Sequence, residues 1–88
     1  MSKFDQLVRQ QLQTMDKLLF LQSEIERCQE LEKELGELDN QTEQLTIKNE
    51  IQKMKVELRE IQLTFERQTD AVITSYKHLN NEVVTTAL

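Results

Sequence analysis

The feature that most constrains this chain is a stripe of apolar residues that returns every three or four positions along most of its length. It runs through Phe4, Val8, Leu12, Met15, Leu18, Leu21, Ile25, Cys28, Leu31, Leu35 and Leu38. It resumes at Ile47, Ile51, Met54, Leu58, Ile61 and Phe65, then continues at Val72, Tyr76, Leu79 and Val83. A mean step near 3.5 keeps one face of a helix on a continuous seam, as in a coiled coil, and does not fit the alternation of a half-buried strand. With no proline and one glycine among 88 residues, little interrupts such a helix. The expectation is an all-α fold in a single domain, residues 1–88, too small to enclose a large catalytic core.

The one region with turn chemistry is "KELGELDNQTEQL", residues 33–45. Gly36 suits a left-handed residue closing one helix, and Asn40 followed three residues later by Glu43 suits the start of the next. Ser2 and Asp5 form a similar start signal at the beginning of the chain. These signals predict a helix over 3–35, a turn over 36–40 and a helix over 41–79. The closing "NNEVVTTAL" has β-branched residues and two asparagines, so residues 80–88 are expected to fray.

Whether the chain doubles back is tested by register. In a hairpin, residues at equal height have numbers with a constant sum. Phe4 with Tyr76, Met15 with Phe65, Leu21 with Leu58 and Cys28 with Ile51 all sum to about 80, which places the mirror point at Asp39–Asn40. Glu24, Glu26, Glu30 and Glu32 then lie beside Lys55, Lys53 and Lys48, and Arg9 faces Asp70. Exposed pairs of this kind select a register more than they stabilise it. Against the turn stand Glu32, Glu34 and Glu37, which crowd a helix C-terminus where the dipole prefers cations. The predicted architecture is an antiparallel two-helix coiled coil, an αα-hairpin, that assembles into a helical bundle. The alternative is one continuous helix in a parallel coiled-coil dimer.

A lone hairpin leaves apolar residues outside its main stripe. Leu7, Leu19, Phe20, Val56, Leu63 and Ile73 are the candidate partner interface, because helices apolar on more than one face belong in larger bundles. Leu19 and Phe20 fall between Val56 and Leu63 in the hairpin register, and Leu7 is level with Ile73. Gln68 interrupts the stripe between Phe65 and Val72, where a polar residue fixes register at a cost in stability. The ending "TTAL", with Thr86 and Leu88, fits the carboxyl-terminal pattern that PDZ domains read by strand addition.

Other chemistry is poorly provided for. A net charge of -5 without a basic block argues against nucleic-acid binding. The longest apolar run, "LLFL" at 18–21, is far short of a membrane span, and the N-terminus lacks a signal-peptide layout. Cys28 lies in the stripe with no second cysteine, and His78 is the only histidine, so no metal, cofactor or catalytic residue is assigned. The expected role is that of a non-enzymatic, intracellular and cytoplasmic coiled-coil subunit or adaptor, with protein partners in a homo- or hetero-oligomer. A parallel homodimeric rod serving as spacer or tether, and a small chaperone-like client binder, are the other two expectations.

Overall fold

Helix α1 (Lys3–Glu37) begins where a side chain can close its open end. In the computed structural model, which describes residues 2–87 and the side chains of residues 2–79, Ser2 is extended and precedes the first helical turn. Its Oγ accepts the Asp5 amide hydrogen at 3.2 Å, which satisfies one of the four N–H groups that a helix leaves unpaired there. The helix then continues through Gly36 to Glu37.

The reversal takes only Leu38, Asp39 and Asn40. Asn40 N–H donates to the Leu35 carbonyl at 2.9 Å and Asp39 N–H to the Gly36 carbonyl at 3.1 Å, the paired bonds of a Schellman closure. The left-handed residue in this closure is Asp39, with φ of 56°. Gly36 was expected to hold that place and does not; it remains helical and serves a spatial purpose instead. A Cβ at Gly36 would lie 2.6 Å from Gln44 Nε2, and that amide crosses the turn to donate to the Glu32 carbonyl at 3.3 Å.

Asn40 also opens helix α2 (Gln41–Ala87). Its Oδ1 accepts the Glu43 amide at 3.3 Å while its carbonyl accepts that of Gln44 at 3.0 Å. One residue therefore completes the C-terminal closure of α1 and caps α2, which is why so short a link suffices. The second helix is longer than the 41–79 predicted. Asparagine and β-branched residues lower helix propensity by only tenths of a kcal/mol each, about 0.7 at most, and extending a formed helix needs no new nucleus.

The two helices pack against each other, and no strand occurs among the described residues. The molecule measures 72 × 17 × 15 Å. A continuous helix over the same residues would reach about 125 Å at 1.5 Å per residue, so the chain is a hairpin and the rod is excluded. Cross-helix contacts keep the predicted register: the Phe4 and Tyr76 ring centroids are 6.2 Å apart, Gln11 bonds Thr69, and Lys48 pairs with Glu32.

The best-buried layers lie near the turn. Leu21, Ile25, Cys28 and Ile51 form the core cluster, with Ile47, Met54, Leu58 and Ile61 packed against it, and Leu35 is also buried. Toward the open end the seam departs from the predicted stripe. Leu12 and Met15 are 52% and 37% exposed, whereas Thr14 is 8% exposed and Gln11 is half-buried. On α2, Ser75 is half-buried while Tyr76 is exposed. The physical reason is phase. A seam repeating every seven residues through Leu18, Leu21, Ile25 and Cys28 arrives at Thr14, Gln11, Leu7 and Phe4, so the apolar residues one position away are turned outward.

Charge pairing is partly as expected. Lys48 reaches Glu32 across the turn at 3.7 Å, which relieves some of the acidic crowding at the end of α1, where the last turn carries no basic residue. Lys53 pairs with Glu50 at 3.5 Å, and Glu24 with Arg27 at 2.8 Å, each within its own helix.

Candidate protein-interaction surface

Toward the open end of the seam the packing changes from apolar to polar. Gln11 Nε2 donates to Thr69 Oγ1 at 2.5 Å, and that hydroxyl donates to the Phe65 carbonyl at 2.9 Å. Thr14, buried, returns its hydroxyl to the Gln10 carbonyl at 3.1 Å. Gln68 is half-buried at the same level, and its Oε1 is enclosed without a hydrogen-bond partner. Three of these four residues escaped the sequence reading. For two of them the signal was the strict seven-residue spacing with the apolar seam: Gln11 precedes Leu18 and Ile25, and Thr14 precedes Leu21 and Cys28, whereas Thr69 is outside that spacing.

The six candidate interface residues occupy different surroundings. Leu7 is half-buried and lines a groove with Ala71, Ser75 and His78 near the open end. Phe20, 68% exposed, stands at the edge of another groove with Leu21, Met54 and Ile61, flanked by Lys17 and Glu57. Leu19, Val56, Leu63 and Ile73 are exposed. Val56 and Leu63 sit on the side of α2 turned from α1, because each falls midway between consecutive seam positions, Met54 and Leu58 or Ile61 and Phe65. Thr86 and Leu88 lie outside the residues whose side chains are described.

Surface electrostatics are mild. The Arg27 guanidinium bonded to Glu24 holds that carboxyl below the usual carboxylate range, and Glu24 in turn raises Arg27. Both groups face water. Cys28 is a free thiol within the core cluster, and His78 is far from it at the other end of the seam. Among the described residues there is no group of three or more His, Cys, Asp or Glu able to hold a metal ion, and no helix is long and apolar enough to cross a membrane.

Comparisons with known proteins agree on one kinship. The chain is similar to the uncharacterized protein YgaB of Bacillus subtilis (strain 168), with 44% identity over 77 residues, covering 88% of this chain and 68% of the relative. No solved structure matches it significantly. The family model for YgaB-like protein matches residues 3–79, which spans α1, the turn and the whole paired part of α2. A chain matched over nearly all of its hairpin in this way belongs to the YgaB-like protein family.

Proposed function

We propose that the chain is a non-enzymatic interaction module: an αα-hairpin subunit or adaptor that completes a larger helical assembly, either by self-association or by receiving helices of other chains. The observation that carries this reading is the number of large apolar side chains left outside the seam. Leu19, Phe20, Val56, Leu63 and Ile73 are each at least 41% exposed, on both helices. Scattered single exposed hydrophobes are ordinary, but apolar residues at helical spacing on more than one face are characteristic of bundle components. A reducing, cytoplasmic setting fits a protein with a single free cysteine.

Phe20→Asp combined with Leu63→Asp tests the module. Neither side chain is in the seam, so the hairpin should keep its helicity while the mass of the native complex falls when sedimented with natural partners present. An unchanged complex mass overturns the reading. The open groove holding Phe20 beside Met54 favours a second reading, that of a client-binding chaperone, because methionine adapts to varied surfaces. The two differ in stoichiometry: a structural subunit copurifies in fixed ratio, whereas a chaperone releases its clients.

A further inference from the structure

Once the seam is subtracted from α1, a second apolar series remains on the same helix: Val8, Leu12, Met15 and Leu19, separated by steps of four, three and four. Leu12, Met15 and Leu19 are exposed and Val8 is half-buried. Their spacing is that of a coiled-coil seam, yet they lie off the seam that α2 occupies. The series is bounded along the helix by Asp5 before it and by Gln22, Ser23 and Glu26 after it, so it forms a patch of about three turns.

We propose that this patch seats the same patch of a second copy of the chain, with the two α1 helices antiparallel about a two-fold axis passing between Gln13 and Thr14. This proposal rests on the reading of the chain as a helix-packing module and names its partner. Two properties of the patch select a second copy. The first is its own mirror symmetry. About that axis Val8 comes level with Leu19 of the second copy and Leu12 with Met15 of the second copy, so every apolar residue meets an apolar residue and each pairing occurs twice, as a two-fold interface requires.

The second property is charge. Arg9 and Asp16 are both exposed and stand seven residues apart, on the edge of the patch farther from α2. Antiparallel pairing brings Arg9 of each copy within about two residues, roughly 3 Å of helical rise, of the level of Asp16 on the other. Two reciprocal ion pairs result. A parallel two-fold pairing instead turns the edges carrying Arg9 and Asp16 to opposite sides of the interface, so neither ion pair forms and the antiparallel arrangement is preferred. A pair of three-turn stripes buries less than the ~1,600 Å² of a standard stable interface, so the dimer is reversible and depends on concentration.

Sedimentation of the full chain over a range of concentrations tests this, with circular dichroism as the folding control. The wild type should pass from monomer to dimer mass. Leu12→Asp with Met15→Asp should remain a monomer at every concentration with unchanged helicity. Arg9→Asp should weaken association roughly tenfold, since two pairs are each converted to repulsion, and adding Asp16→Arg should restore it. Orientation is read separately in a Cys28→Ala background. A chain carrying Val8→Cys mixed with one carrying Leu19→Cys should form a disulfide-linked heterodimer that neither forms alone. A wild type that is monomeric throughout, a dimer indifferent to Leu12→Asp with Met15→Asp, or cross-linking of Val8→Cys to itself would each overturn the proposal. The first of these results leaves the interaction module to its own test with natural partners, so the two failures are distinguishable.

Discussion

Asp39 performs a task for which glycine is better suited. With φ of 56° it sits in the left-handed region, where an L side chain crowds the following carbonyl. Aspartate tolerates this better than most residues, but it does so at some cost. Asp39→Gly is expected to stabilise the hairpin by about 0.5 kcal/mol, the relief of strain outweighing the extra freedom of the unfolded chain, and Asp39→Val to destabilise it by about 1–2 kcal/mol. Thermal or urea unfolding measures both. Gln68 makes the opposite kind of concession, since its enclosed Oε1 lacks a partner. Replacing it with leucine should stabilise the hairpin by about 1–2 kcal/mol in urea unfolding. These two residues also mark the limits of what the sequence discloses. Gln68 is visible as a break in an apolar series, whereas the division of labour between Gly36 and Asp39 depends on where the Gln44 side chain crosses the turn.

At the scale of the helix, two apolar series compete for the inner face of α1. Both have steps of three and four, so spacing alone does not choose between Leu12 with Met15 and the seam through Gln11 and Thr14. The choice is made farther along, where Leu21, Ile25 and Cys28 enclose Ile51 and fix the phase. That is why the helices, the turn and the register were legible from periodicity, while the occupants of the seam near the open end were not. The consequence is a sharp contrast in truncation cost. Ile51 is 5% exposed, so Ile51→Ala should lose about 2–5 kcal/mol of unfolding free energy. Leu12→Ala, at a residue the apolar stripe had placed in the core, should change it by no more than about 0.5 kcal/mol when the protein is monomeric. Equal losses at the two sites would contradict the phase described here.

As a whole molecule, the hairpin is a long ladder of layers unequal in character: apolar from Leu35 to Leu18, polar around Gln11 and Gln68, and aromatic at Phe4 and Tyr76. The face proposed for partners has no such ladder to announce it. Its residues are legible as apolar, but their grouping depends on the seam phase, so Leu19 and Phe20, adjacent in sequence, belong to different sides of the structure. The tight reversal at Asp39–Asn40 has a mechanical corollary. Because Phe4 and Tyr76 lie side by side, tension applied to them loads one layer at a time, as in opening a zipper, rather than shearing all layers together. Pulled in an optical trap between these two positions, the molecule should open at low force through the Gln11–Thr69 level, pause, and then yield at higher force as Leu21, Ile25 and Ile51 separate. The same contacts would resist far more if the helices were dragged lengthwise past each other, so this protein's strength depends on the direction of the pull.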